Sequence, residues 1–385
     1  FRGYSDGIAR SAKFNRPSGL AFDPKIGLLV ADSDDQVIRL VNGGKIGHAA
    51  TADEKNSLRY TADEFRGLQP PRWPFDPPEK AREIAGTLGE IRGAVGAGED
   101  DSLHFHNGLD IAGGYGEPAR FVRSEKVLLP AAVQNFGTTR ELIRLPTLGY
   151  IHVRLGRNVN GDPFNDARFQ FSRDADGNPA DVRVPRGSSF AAGEVLGTLN
   201  SMNHVHLIAG RSGSEINAIA ALGLPGISDS ISPVIEDVKL FDENWSEIET
   251  RGRRERIKLT TRTRVVVRAY DRVDGNAERR RLGLYQLGFR LAKPDTEAPI
   301  DWTIRFDRMP RSDAVKLVYA PGSRSGATGE TVFNYIVTNT VNGDEYREGF
   351  IDPATLENGV YVLDIYAADY FGNTATKQLT LEVSK

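Results

Sequence analysis

The chain has 385 residues, 39% hydrophobic and 26% charged, with 49 Lys and Arg against 52 Asp and Glu. That length exceeds one ordinary hydrophobic core, so two or three domains are expected, and a mean hydropathy of -0.39 is that of a globular chain. A formal net charge of -3 supplies no basic field for nucleic acid, no apolar run is long enough to span a membrane, and a cysteine count of 0 excludes disulfides and thiolate metal sites. Any metal must then be held by His, Asp or Glu. Residue 1 is Phe and no signal peptide is visible, which reads either as a cleaved leader or as a start inside a longer parent.

In chain order, residues 1–50 carry short apolar runs at Phe14–Asp23, Leu28–Ser33 and Gln36–Val41, separated by Pro, Gly and Asp turns. This predicts a small antiparallel meander. It resembles one NHL repeat, the unit of a β-propeller blade, and a single blade cannot bury both of its faces. Two arrangements are expected for it: earlier repeats belonging to a longer parent, or docking on the rest of the chain. Residues 51–78 turn polar and then proline-rich (Gln69-Pro70-Pro71, Pro77-Pro78) and read as a linker, and Glu79–Ala85 has the length of a short helix.

Residues 79–230 form the catalytic candidate, with strands expected at Val122–Val127, Glu141–Leu145, Ile151–Leu155 and Val195–Leu199, punctuated by glycine as in an antiparallel sheet. A polar insertion from Arg157 to Asp181 reads as loop, and within it Asp174-Ala175-Asp176-Gly177-Asn178 is a fragment of a calcium loop without the terminal glutamate. From residue 231 to 385 the alternation predicts strands at Val234–Phe241, Arg264–Tyr270, Leu284–Ala292, Thr303–Phe306, Ala314–Tyr319, Phe333–Thr338, Val360–Ala367 and Thr376–Val383. Many strands without helices point to a β-sandwich. Asp271 followed by Gly275-Asn276, and Asp369 followed by Gly372-Asn373, resemble turns of immunoglobulin-like domains attached to bacterial surface proteins. The basic runs Arg251–Arg254 and Arg279–Arg281 could grip anionic polymers, although such runs are usually solvated faces. The whole chain is thus expected to be mostly β: an N-terminal meander, an antiparallel-sheet core and a C-terminal sandwich.

The 6 histidines are clustered. His106 opens His106-Asn107-Gly108-Leu109-Asp110 with His104 beside it, His204 and His206 form His204-Val205-His206, His152 lies between, and His48 stands apart. Side chains at i and i+2 of a strand share a face, so His204 and His206 can look into one cavity. Two imidazoles and a carboxylate make a three-ligand zinc site with an open position, where water becomes a nucleophile near neutral pH.

On these residues the chain resembles the lysostaphin-like (LytM-type) zinc metallopeptidases that cut peptidoglycan peptides, whose signature is H-x-x-x-D followed far downstream by H-x-H. The flanks agree: Trp73-Pro74-Phe75 and Thr87–Arg92 before His106, and Gly193–Leu199 before His204, with the match covering residues 73 to 224. The resemblance implies zinc on His106, Asp110 and His206. It also implies that His204 and His152 flank the activated water and the scissile carbonyl as general base and oxyanion donor, in an order left open. Two departures are the long interval from His152 to His204 and Leu207-Ile208-Ala209 where the family often has a glutamate after its H-x-H phenylalanine.

Arg92 is a candidate for a substrate carboxylate, with a salt bridge as the alternative, and Asn107 for the open metal position, with a turn role as the alternative. His104 reads as a rim residue. The expected function is a periplasmic or extracellular zinc endopeptidase acting on peptidoglycan stems or cross-links, with envelope proteins as partners of the flanking β domains. The alternatives are a catalytically silent envelope scaffold of the same fold and a zinc endopeptidase acting on a protein substrate.

Overall fold

A computed structural model describes residues 7–8, 12, 14, 17–32, 37–43, 45–47, 60–68, 70–96, 103–128, 132–211, 214–248, 256–326 and 330–385. The basic run Arg251–Arg254 and His48 lie outside them. The protein is mostly β with many antiparallel pairings, and the α-helices among the described residues, Ala62–Arg66, Ala218–Leu222 and Val315–Val318, have 4 or 5 residues each. It divides into two compact units, each discontinuous in sequence: residues 1–82, 111–214 and 221–225, and residues 83–110, 215–220 and 226–385. The border falls between Asp110 and Ile111, inside the strand Leu109–Ala112.

In the first unit, the N-terminal meander is a five-stranded antiparallel sheet in which Pro17–Asp23, Gly27–Asp32 and Val37–Asn42 pair in succession. Asp32 and Arg39 form a fully buried ion pair at 3.2 Å. Leu20 and Phe22 remain 71% and 73% exposed, and Ile38, on the opposite face by register, 58% exposed. Exposure on both faces runs against docking of this sheet.

The remainder of this unit includes two larger antiparallel sheets. One runs Val133–Gln134, Leu142–Arg144, Leu148–Ile151 and His204–Arg211, and the other Pro118–Arg120, Val195–Leu199 and Val153–Leu155. A single strand was expected over 151–155; the structure breaks it at His152, whose φ of 70° turns the chain out of the first sheet and into the second. That conformation is uncommon for a residue with a Cβ and persists only where surroundings over-determine it. Phe121 stacks on Phe190 with ring centroids 4.4 Å apart and meets Tyr150 edge-on, so the aromatic core lies directly behind these strands.

Two expectations for this unit are corrected. The linker contains the helix Ala62–Arg66, closed by a capping box in which Thr61 Oγ1 accepts from Glu64 N and Glu64 Oε2 accepts from Thr61 N. The insertion is not all loop: Gln170–Arg173 and Pro179–Arg183 form a hairpin, and the Asp174 carboxylate caps its turn by accepting from Asp176 N and Asn178 N.

The second unit holds a four-stranded sheet (Glu247–Ile248, Val234–Phe241, Arg264–Tyr270, Asn334–Ile336) and a seven-stranded sheet through Thr374–Val383, Gly359–Ala368 and Gln286–Ala292. Both contribute to one core, with Val238, Leu240, Val265 and Val267 from the first and Leu287, Ile304, Leu363, Ile365 and Leu381 from the second. Ile91 and Phe105 belong to the same core, so residues 83–110 pack with 226–385, across the border drawn from sequence at 230. Glu79–Ala85 is not a helix: residues 77–80 turn, and Ile84 exchanges two backbone hydrogen bonds with the Asn276 amide. Ala314–Tyr319, expected as a strand, is a short helical segment, because its apolar residues also satisfy helical spacing and place Ala314, Val315 and Val318 in the core.

Candidate metal centre

The candidate residues divide across the unit border, His106 and Asp110 in the second unit and His152, His204 and His206 in the first. In the second unit, Ile91–Ala94 pairs with His104–Phe105, setting Arg92 opposite His104. Buried Phe105 anchors the second strand. His106 follows it, and its backbone closes on the 87–90 turn through His106 N to Glu90 O at 2.7 Å and Gly89 N to His106 O at 2.8 Å. His104 is exposed, while His106 and Asp110 are 4% and 7% exposed.

The His106 ring is oriented by the Thr87 carbonyl, which lies 2.8 Å from Nδ1. A carbonyl can only accept, so in the neutral ring the proton sits on Nδ1 and Nε2 carries the lone pair. Nε2 points at Asp110 Oδ1, 3.0 Å away. Two acceptor atoms facing each other at that distance require a shared proton or a shared cation. This is the donor arrangement of a metal-ligating histidine with its outer partner in place, so the residues present fit a zinc ion.

Arg92 holds the rest of Asp110. Its Nη2 lies 3.0 Å from Asp110 Oδ2 and its Nη1 2.8 Å from Glu90 Oε2, while Glu90 Oε1 accepts from Thr87 N and Gly283 N. Burial works against the charge on Arg92, but the two carboxylates outweigh it and hold its pKa above the ordinary value. A Cβ at Gly86 would come within 2.6 Å of Arg92 Nη2 and 2.7 Å of Asp110 Oδ2, so the ion pair needs glycine there. The guanidinium considered for a substrate carboxylate is thus engaged with Asp110 and Glu90. Asn107 is half-buried beside His106.

In the first unit, His204 and His206 lie on one face of the strand His204–Arg211, with Val205 fully buried on the other. Ile151 pairs with His206, which brings the left-handed His152 to the same end of the sheet. The rings of His152 and His204 are 4.5 Å apart and those of His152 and His206 6.3 Å, both edge-on. His152 Nδ1 lies 2.6 Å from Thr139 O and His204 Nδ1 2.7 Å from Met202 O, so both imidazoles also present Nε2 as the basic nitrogen. The two differ in environment from His206: they are half-buried, whereas His206 is 6% exposed.

Residues that the sequence reading did not single out complete the arrangement. Asn200 donates Nδ2 to Thr139 O at 2.9 Å and accepts from Met202 N through Oδ1, and its backbone N–H donates to His152 O. Glu141 anchors the neighbouring loop from full burial, its carboxylate accepting from Gly137 N, Leu155 N and Arg157. Burial raises the Glu141 pKa against the pull of Arg157. A carboxylate or amide deep in a candidate fold is a signal for such support, but the orienting carbonyls of Thr87, Thr139 and Met202 leave no side-chain trace.

No family model matches the chain, and no curated protein matches it. The solved structures similar to it include the extracellular domain of a one-component system, BT4673, and that of a hybrid two-component system of the same name, both from B. thetaiotaomicron. Each shares 10% identity at a TM-score of 0.19, covering 97% of this chain, which spans 37% and 38% of their own lengths. No helix among the described residues is long and apolar enough to cross a membrane.

Proposed function

We propose that the protein is a zinc metalloendopeptidase of lysostaphin-like type, cutting peptide bonds of peptidoglycan stems or cross-links in the cell envelope. The ligands proposed from the family resemblance are His106 and Asp110 of the second unit and His206 of the first. The observation that carries the reading is that each of His106, His152 and His204 has Nδ1 within hydrogen-bond distance of a backbone carbonyl, which leaves Nε2 as the basic nitrogen of all three neutral rings.

A zinc ion held there would supply Lewis acidity toward a peptide carbonyl and make water acidic enough to act near neutral pH. The remaining work falls to the half-buried histidines. In the neutral tautomer set by its carbonyl, His204 or His152 can take a proton at Nε2 and later return it to the leaving amine, and the other, once protonated, can donate to a developing oxyanion. Arg92 holds Asp110 in place. The N-terminal sheet is proposed as an NHL-like module and the two-sheet body of residues 226–385 as an immunoglobulin-like module, both contacting envelope partners.

The test is mass spectrometry of soluble products from insoluble peptidoglycan incubated with the protein, alone and with a zinc chelator. Release of peptide-cleaved fragments that stops on chelation, and that drops by about 10²–10⁴ in His204→Ala, is expected. Absence of release from every peptidoglycan chemotype tried would overturn the substrate assignment.

A further inference from the structure

A second group of ligand-type side chains, Asp229, Asp271 and Asp369, lies wholly within the second unit. Asp271 directly follows the strand Arg264–Tyr270 of the four-stranded sheet, and Asp369 follows Gly359–Ala368 of the seven-stranded sheet. Asp229 sits in the segment leading to Val234–Phe241. Ligand atoms of the three come within 4.8 Å of one another.

Three carboxylates so close need a compensating charge, and the hydrogen bonds provide only part of it. Asp369 Oδ1 accepts from Asn373 N and Oδ2 from Asn373 Nδ2, and Asp229 Oδ1 accepts from Ile231 N. Asp229 Oδ2 and Asp271 Oδ1, by contrast, are buried with no hydrogen-bond partner. Asp271 is only 6% exposed and Asp369 3%. A buried, unpartnered carboxylate oxygen on a residue grouped with two other carboxylates is costly. Nearby charges do not balance it: Arg272 favours ionisation of Asp271, while Asp274, which binds Ser230, adds a fourth negative charge near Asp229.

We infer that Asp229, Asp271 and Asp369 form a calcium site that ties the ends of strands from both sheets to the segment entering them. The donor set is all oxygen, which suits a hard cation and disfavours zinc. Three carboxylates offer up to six oxygens, and the flanking turns and water can complete the shell that calcium accepts more readily than magnesium. The Asn373 amide, which joins Asp369 Oδ2 to the Asp229 carbonyl at 2.7 and 3.0 Å, shapes the site from outside. This site is distinct in residues and in donor chemistry from the histidine centre.

The experiment is equilibrium dialysis of the full zinc-loaded chain against radioactive calcium, with thermal melting in parallel. One calcium per chain is expected, with a rise in melting temperature of roughly 5–10 °C at about a hundredfold excess over Kd. Asp271→Asn, isosteric and without the charge, should abolish both effects, with Asp229→Asn as the second variant should the first fail to fold. Asp174→Asn, in the hairpin turn that only resembles a calcium loop, should leave both unchanged. No calcium bound by the wild type, undiminished binding in both site variants, or magnesium bound in preference would overturn the inference.

Discussion

His152 and Asn200 converge on one acceptor: the Thr139 carbonyl takes His152 Nδ1 at 2.6 Å and Asn200 Nδ2 at 2.9 Å. Asn200 N also donates to His152 O, at 3.0 Å, so the amide residue grips the histidine at both backbone and ring acceptor. Because His152 holds a left-handed backbone, its ring direction depends on this outside support. Asn200→Ala is expected to lower kcat by about tenfold or more while leaving KM and zinc content near wild type, since misplacing a reacting group costs rate before binding. Steady-state kinetics on a defined peptide substrate with metal analysis checks this, and an unchanged kcat would show that Asn200 does not position His152.

The Arg92 guanidinium bridges Glu90 and the proposed ligand Asp110. Removing the guanidinium in Arg92→Ala leaves Glu90 and Asp110 buried without their shared cation, and zinc affinity is expected to fall by about 10–100-fold, the usual effect of losing an outer partner. Competition with a chromophoric chelator measures it. If zinc affinity held and only KM rose, Arg92 would be a substrate contact after all.

Gly89 fixes the turn behind His106. Its φ is +89°, an added Cβ would overlap the Phe306 ring, and its carbonyl accepts from the buried Tyr319 hydroxyl at 2.8 Å. Gly89→Ala combines backbone strain with overpacking and is expected to cost about 1–3 kcal/mol in denaturant unfolding. An unchanged midpoint would mean that the turn relaxes freely and does not hold His106.

Burial and then the Asp369 charge push Asp271 up to about 8 in the cation-free protein. An unfolded aspartate titrates near about 4, so the folded state binds this proton more tightly over the intervening range. The associated stability is therefore full below about pH 4 and is lost as pH rises through about 8. In chelator, Asp271→Asn should flatten this decline and be more stable than wild type at pH 8. A wild type equally stable at pH 5 and pH 8 would contradict it.

How much of this was legible in the sequence varies by residue. The strand carrying His204 and His206 follows from two-residue alternation around Val205, and Val234–Phe241 and Arg264–Tyr270 match their expected limits because both are rich in β-branched and aromatic residues. The helix Ala62–Arg66 was missed although Thr61 and Glu64 spell a capping box; the polar composition around it hid a local signal that was present. Val315–Val318 was misassigned because a short apolar run fits both periods. The break at His152 had no signal at all, since a left-handed histidine is dictated by the two sheets that claim its neighbours. The histidine motifs were readable as chemistry, but their orientation comes from the carbonyls of Thr87, Thr139 and Met202, which any residue could supply.

The most direct test of the central claim is zinc stoichiometry, measured by elemental mass spectrometry on the zinc-loaded, desalted 385-residue chain and its single variants. The account predicts one zinc per chain in the wild type, retained in His152→Ala and His204→Ala and lost in His106→Ala, Asp110→Ala and His206→Ala. Full zinc retention in His206→Ala, or loss in His204→Ala with the fold intact, would contradict it.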